Sequence, residues 1–306
     1  MHKEIYMSTE RVAYVNGEIL PESQASVSIN DRGFLYGDAV FDTTRTFNGE
    51  IFRLEQHLDR FYESLRYMRI DSPVGKAEMK NITLNVLKKN LEILPDGDDY
   101  WVSQRVSRGV RGLPGIMKPT IVVECFPLPL EERAEYYRDG IKMIASSIRR
   151  TAPESLSPRA KMHNYINLIQ AELEIQSQDS KALALLLDVN GNLCEGHGAN
   201  IFLVKQGVIY TPREQFVLAG ISRQVTIELA TNLGYEIKET DLDIFDAYTS
   251  DEIFVTSTSF CICPVSSING LQVKSQNIPG DVTLELQSAY SKLVKMDFVK
   301  QYLDKL

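Results

Sequence analysis

The chain has 306 residues, 43% hydrophobic and 24% charged, the balance of a globular protein of about two domains. Its 33 basic and 41 acidic side chains leave a formal charge of −8, which disfavours a partner gripped by phosphate neutralisation, since nucleic-acid binders need a surplus of Lys and Arg. The first twenty residues mix both charge signs, and no apolar run approaches the roughly 18 residues of a membrane span, so neither a signal peptide nor a spanning helix is expected.

In chain order, Asn16-Gly17 between VAYV and EIL predicts a first hairpin, and Asn48-Gly49 between FDTTRTF and EIF a second, because both central residues of a type I′ turn need positive φ. From Arg53 to Arg69, Leu54, Leu58, Phe61, Leu65 and Met68 recur at three- and four-residue steps, an amphipathic helix on which His57 is expected to be partly exposed. A second helix is predicted from Lys76 to Leu94, ending before Pro95. Pro127 and Pro129 mark a connector that puts the domain boundary near residues 126–134, dividing the chain into 1–128 and 129–306. A further connector, Thr151–Pro158, precedes a helix from Tyr165 to Gln176. Asn190-Gly191 predicts a third hairpin and Asn269-Gly270 a fourth. Between them, Ser222 to Gly234 reads as a helix with an N-cap serine and a terminal glycine. A last helix is expected from about Gly280 to the C-terminus. The class is α+β in two lobes, with largely antiparallel sheet in the first.

Cys125, Cys194, Cys261 and Cys263 form no CxxC pair, and His2, His57, His163 and His197 supply no zinc spacing, so no metal is expected. Free, buried thiols and a cytoplasmic protein are the simplest reading. The commonest nucleotide, zinc-protease and serine-hydrolase signatures are missing as well. What remains is a lysine before a predicted helix, a glycine-flanked glutamate near a strand end, and two Ser/Thr-bearing turns. Those are the parts needed to hold an aldehyde, a ring nitrogen and a phosphate.

The ordered set Lys161…Asn164-Tyr165, Glu195-Gly196-x-Gly198-x-Asn200-Ile201-Phe202, Gly220-Ile221-Ser222-Arg223 and Thr256-Ser257-Thr258 resembles the class IV (fold type IV) pyridoxal-phosphate aminotransferases. That group includes branched-chain, D-amino-acid and (R)-amine transaminases and aminodeoxychorismate lyases. Asp31–Phe41 and Glu55–Arg60 agree in the first half, so the resemblance runs from about Ala13 to about Tyr290. It implies a D-amino-acid-aminotransferase-like fold, with a small α/β N-terminal lobe and a larger, β-barrel-like, cofactor-binding C-terminal lobe.

The resemblance also implies roles. Lys161 would attach pyridoxal 5′-phosphate through its aldehyde and then move a proton at the substrate Cα, tasks that need an amine able to be neutral. Glu195 would keep the pyridine nitrogen protonated, Tyr165 would donate to the ring hydroxyl oxygen, and Leu218 would pack on the ring face. Arg60, Ile221, Ser222, Ser257 and Thr258 would hold the phosphate, the serine and its neighbour by opening a helix.

Tyr36, Phe41, Thr43 and Arg45 are expected on a substrate-lining strand, and Tyr36, Phe41 and Arg45 look like the branched-chain subgroup. Where bacterial branched-chain enzymes carry an arginine that reads a second carboxylate, Ser103 stands here, with Arg105 two residues on and on the same face. The SRGVRG stretch around Arg108 instead resembles the D-amino-acid and (R)-amine enzymes. Branched-chain or aliphatic L-amino acids with 2-oxoglutarate are therefore the first substrate reading. A D-amino-acid or (R)-amine transaminase, an aminodeoxychorismate-type lyase and a non-catalytic scaffold are the rivals. The family usually works as a homodimer, and Lys161, Arg60, Arg45, Arg105 and Arg108 would make a locally basic pocket within an acidic total.

Overall fold

The computed structural model of the protein describes residues 10–111 and 117–306; Gly112 of the SRGVRG stretch and the Arg111 side chain lie outside the described residues. The chain forms two compact units. One runs to Leu128 and takes back Ala160–His163; the other comprises Pro129–Arg159 and Asn164–Leu306. A single cut near residue 128 therefore misses the return of a four-residue segment, which no composition shift announces.

The first unit contains β1 (Val12–Val15), β2 (Glu18–Pro21), α1 (Arg32–Tyr36), β3 (Ala39–Phe47), β4 (Glu50–Ile51), α2 (Leu54–Met68), α3 (Lys76–Leu91), β5 (Tyr100–Arg111) and β6 (Met117–Pro127). Its six strands pair in the order β2-β1-β6-β5-β3-β4, antiparallel throughout. Asn16 and Asn48 adopt φ of 49° and 51°, so both Asn-Gly turns close two-residue hairpins. Arg53 and Arg69, both left-handed, bracket α2, whose Leu58, Phe61 and Leu65 pack with Met79 and Val86 of α3 against Val40, Val102, Val106 and Val123 of the sheet. His57 is not partly exposed: it is buried on the face that α2 turns to β3.

The β5–β6 ladder slips between Ser107 and Val110. Gly109 occupies that bulge at φ +80°, and a Cβ there would lie 1.6 Å from the Lys118 carbonyl oxygen. Only glycine fits.

The second unit contains α4 (Leu130–Asp139), β7 (Ile141–Ala145), α5 (Ile166–Gln176), β8 (Leu183–Leu187), β9 (Leu193–Gly196), β10 (Ala199–Lys205), β11 (Val208–Pro212), α6 (Ile221–Asn232), β12 (Ile237–Thr240), α7 (Ile244–Thr249), β13 (Glu252–Ser257), β14 (Cys261–Ile268), β15 (Leu271–Gln272), α8 (Asp281–Val294) and α9 (Phe298–Leu303). The order β10-β13-β14-β7-β8-β9 closes on itself through the β9–β10 pairing, so six strands make a barrel from which β11 and β12 extend. The β14–β7 and β7–β8 pairs are parallel.

Local chemistry explains the departures from the predicted elements. The Asn190-Gly191 hairpin is a longer loop from Leu187 to Leu193, because the Asp188 carboxylate accepts from the backbone of Asn190 and Asn192 at 2.8 Å each. Gln206-Gly207, at φ of 53° and 77°, makes a tight turn that the Asn-Gly signal does not flag. The N-cap of α6 is Gly220 rather than Ser222, whose hydroxyl turns instead to the Ser257 carbonyl oxygen. Lys295, left-handed, ends α8 and splits the expected C-terminal helix in two. All four cysteines are free and buried, and burial pushes the Cys125 thiol up to about 12. Among the described residues, no helix is long and apolar enough to cross a membrane.

Gly109→Ala should lower the unfolding free energy by at least about 2 kcal/mol, through left-handed strain and overlap with the facing strand. Urea unfolding of the variant checks this; a loss of only a few tenths would show that the bulge can relax.

Candidate active site

In the first unit the site begins on β3, whose side chains alternate between two environments. Val40 and Asp42 face α2, while Phe41, Thr43 and Arg45 take the other side. The Ala160–His163 segment lies along this strand in extended pairing. The Phe41 N–H donates to the Lys161 carbonyl and the His163 N–H to the Ala39 carbonyl, each at 3.0 Å, and Val40 bridges Met162. The Lys161 N–H in turn donates to Ser64 Oγ on α2 at 3.0 Å. Backbone pairing thus fixes the lysine, and its Nζ sits 4.5 Å from the Phe41 ring centroid.

Beneath that strand, Asp42 is fully buried and accepts from Arg60 Nε and Nη2 at 2.8 and 2.7 Å, with His57 Nδ1 2.8 Å from Oδ1. Burial opposes the Asp42 charge, yet Arg60 and His57 hold the carboxyl well below the usual carboxylate range. Burial also pushes the His57 imidazole down, against the pull of Asp42. The result is an ionised carboxylate, a charged guanidinium and a neutral ring fixed together under β3.

The predicted substrate residues divide. Phe41 faces Arg105 across the β3–β5 ladder, and the guanidinium carbon of Arg105 is 5.4 Å from its ring centroid. Arg105 Nε donates to Glu124 at 2.6 Å. Tyr36 is not on the strand: it ends α1, exposed, with the Arg32 guanidinium 5.1 Å from its ring. Arg45 is 1% exposed, stacked 4.1 Å from the Phe47 centroid with its Nε on the Thr46 carbonyl, so it is a core cation rather than one open to substrate. Arg108 ties the Asp38 carboxylate to the Met68 and Arg69 carbonyls at the end of α2, a structural task. The expected pool of basic charge is therefore largely neutralised by Asp42, Glu124 and Asp38.

His163 is the residue that the sequence reading passed over. Its ring meets Phe41 edge-on at 5.4 Å and 72°. Its Nε2 is buried and makes no hydrogen bond to a described residue, a condition that costs about 1–3 kcal/mol. Burial and the nearby Arg105 charge, opposed by Asp31, push the imidazole down to about 4.

In the second unit, Glu195 ends β9, 5% exposed. Its Oε1 accepts from Arg150 Nε at 2.7 Å and its Oε2 from the Leu218 N–H at 3.0 Å. Arg150 is not among the predicted site residues, because nothing local in the sequence brings it to Glu195. Asn200, paired with Glu195 across the β9–β10 turn, donates to the Leu218 carbonyl at 2.9 Å, and a Cβ on Gly220 would lie 2.2 Å from its Oδ1. This brace sets the start of α6, where Ile221 and Ser222 lie in the first turn with its outward N–H groups. Ser222 Oγ reaches the Ser257 carbonyl at 2.9 Å, which brings the α6 start beside the Ser257–Ser259 turn that includes Thr258. Next to it, Thr256 Oγ1 is buried without a partner among the described residues. Tyr165 caps α5, its ring 6.1 Å from that of His197.

The description "Amino-transferase class IV" belongs to the family model that matches residues 39–268, which is most of the chain. The chain is a class IV aminotransferase. Similar proteins include the "Putative branched-chain-amino-acid aminotransferase" of Methanocaldococcus jannaschii, 37% identical over 94% of this chain and 98% of that one. The Escherichia coli branched-chain amino acid aminotransferase structure matches with a TM-score of 0.86 at 28% identity, covering 93% of this chain and 95% of that one. A further branched-chain amino acid aminotransferase structure, complexed with N-(5′-phosphopyridoxyl)-L-glutamate, matches with a TM-score of 0.81 at 27% identity, over 93% and 94% of the two chains.

The aminotransferase carries the fold-type IV architecture, and its class uses pyridoxal phosphate. The second unit fits that group on its own chemistry. A buried carboxylate accepting two hydrogen bonds can still accept a third from a ring N–H, and an orphaned buried hydroxyl lies beside a helix start suited to an anion. Among the described residues, no three His, Cys, Asp or Glu side chains could hold a metal ion together.

Asp42→Asn removes the carboxylate that balances Arg60 and leaves a buried cation, so a loss of about 3–5 kcal/mol is expected at neutral pH. The folded carboxyl lies below its unfolded value of about 3.9. Its stabilisation is thus complete above that value and declines as pH falls towards the folded one. The stability gap between wild type and D42N, read by denaturant titration, should narrow below about pH 4. A gap that widens on acidification would contradict the ionised pair.

Proposed function

We propose that the aminotransferase binds pyridoxal phosphate through Lys161, Arg60, Glu195, Tyr165, Leu218, Ile221, Ser222, Ser257 and Thr258. The observation that carries this reading is the Lys161 amine held over Phe41 by backbone pairing, which no surface lysine requires. When bound, the cofactor supplies a carbonyl for amine exchange and a ring that withdraws electrons from Cα. Lys161 would move the proton from the substrate Cα to the aldehyde-derived carbon of the cofactor. Glu195, paired with Arg150, keeps a proton on the ring nitrogen. Arg60 and the α6 start balance the phosphate, and Tyr165 donates to the ring hydroxyl oxygen.

Branched-chain or related aliphatic L-amino acids are the proposed donors and 2-oxoglutarate the acceptor. The names of the similar proteins support this, as does the aromatic Phe41 surface beside Arg105. A homodimer is supported by the apolar side chains around α1, where Ile29 and Phe34 are 75% and 72% exposed. The free thiols fit a cytoplasmic location.

Wild type should be yellow and, on borohydride reduction, should lose the yellow band while keeping the cofactor covalently attached, whereas Lys161→Ala should retain no attached cofactor. Spectra of the half-reaction with L-leucine, L-glutamate, D-alanine and (R)-1-phenylethylamine then identify the donor. Conversion by only the last two would make this a D-amino-acid or (R)-amine transaminase, and pyruvate release without an added acceptor would make it a lyase. Glu195→Gln should slow the half-reaction about 100-fold while the colour stays, as expected for a lost electrostatic contribution. An unchanged rate would remove Glu195 from the ring nitrogen.

A further inference from the structure

We propose that His163 is a specificity-determining residue whose Nε2–H, beside the Arg105 guanidinium, hydrogen-bonds a carboxylate oxygen of the amino acid or 2-oxo acid. The inference rests on the aminotransferase reading for the identity of that anion and on the first unit alone for its geometry.

Three nitrogen-bearing side chains surround the Phe41 ring. The Lys161 Nζ is 4.5 Å from its centroid, the Arg105 guanidinium carbon 5.4 Å, and the His163 ring stands edge-on at 5.4 Å. Lys161 and His163 are two residues apart on the extended segment paired with β3, so both project to the same side as Phe41. The lysine proposed to move the substrate Cα proton and the histidine are thereby neighbours by construction.

Arg105 supplies charge. Its Nε is committed to Glu124, and its terminal nitrogens make no hydrogen bond to any described residue. A guanidinium anchored in that way presents its remaining donors in a fixed plane, which suits a carboxylate. His163 supplies a second, uncharged donor. Its Nε2 is buried yet unmatched among the described residues, and buried polar atoms in folded proteins nearly always have a partner. With the Arg105 guanidinium already on the same ring, a neutral imidazole can add a hydrogen bond without a second positive charge. A carboxylate oxygen matches both donors at once. An aliphatic side chain matches neither.

The anion could be the carboxylate common to every amino acid or the second carboxylate of an acidic one. The test uses the pyridoxal-phosphate-loaded enzyme and calorimetric titration with two unreactive acids, glutarate and 4-methylvalerate. His163→Met, which keeps the reach but lacks a strong donor, should weaken binding about tenfold, and His163→Gln, whose amide can donate, should stay within about threefold of wild type. Weakening of both acids by H163M assigns the common carboxylate; weakening of glutarate alone assigns the second one. If both acids stay within about twofold in H163M, or if H163Q and H163M weaken binding equally, the proposal falls. A second measurement needs no variant to fold. In wild type labelled with 15N histidine, the His163 Nε2 signal should shift on saturation with glutarate or 4-methylvalerate, and its constancy with both would overturn the proposal. Cofactor colour reports separately on the reading of Lys161, so the two conclusions fail independently.

Discussion

The arrangement of the first unit depends on the pairing of a short returning segment with β3. Two backbone hydrogen bonds, from Phe41 N–H to Lys161 O and from His163 N–H to Ala39 O, set the position of Lys161, and Ser64 on α2 accepts a third from its amide. Side-chain packing alone would leave a long, flexible lysine many rotamers. A backbone fixed at both neighbouring residues restricts the Cβ direction first, so the amine has few places to go besides the Phe41 face. The same strand faces the other way at Asp42, where the carboxylate gathers Arg60 and His57 beneath it. Helix α2 serves both sides, since Arg60 and Ser64 lie one turn apart and the Ser64 hydroxyl donates back to the Arg60 carbonyl at 2.8 Å. Disturbing the strand at either residue therefore disturbs the other.

The second unit solves a similar problem with different parts. Glu195 is only 5% exposed, a setting that an isolated carboxylate would not tolerate. Arg150 supplies the compensating charge and the Leu218 N–H a further donor, and Asn200 steadies the loop carrying that donor. The polar cluster is satisfied from three separate parts of the chain. Such a cluster is rigid because loss of any member leaves another buried and unpaired.

Much of this was legible in the sequence where one residue type does one physical job. Asn-Gly turns fixed two hairpins of the first unit because positive φ is cheap there, and the Leu54–Leu65 stripe located α2 because burial follows helical period. The Lys161, Glu195 and Gly220 motifs were visible as an ordered set. What stayed hidden depends on partners far apart in the chain. Asp42 looks like any strand aspartate until His57 and Arg60 come beneath it; Arg150 looks like surface charge until Glu195 is beside it. His163 stands in the sequence only among the histidines without zinc spacing, since nothing local distinguishes a buried ring nitrogen from an exposed one. Arg45 and Tyr36 were misplaced for a related reason. Strand alternation says which side a residue takes, but not whether a helix interrupts the strand at Tyr36 or a core ring such as Phe47 covers the guanidinium.

The position of Arg105 gives that alternation a consequence for recognition. Same-face residues on an antiparallel strand lie about 7 Å apart, so a cation at Arg105 instead of Ser103 is displaced by one full side-chain rung. Ser103 is 1% exposed, 3.2 Å from Thr43 Oγ1 and bonded to the Asp42 carbonyl, so its rung is closed by small polar groups. The Arg105 rung instead carries Phe41, with Lys161 and His163 around the same ring. Under the proposed contact, a carboxylate drawn to Arg105 meets the rung that carries Lys161, whereas an arginine at position 103 would draw it one rung further along the strand. A displacement comparable to the length of an amino-acid substrate is enough to change which of two carboxylates meets the cation. On the proposed contact, substrate choice turns on the register of β5 against β3 as much as on the identity of the arginine.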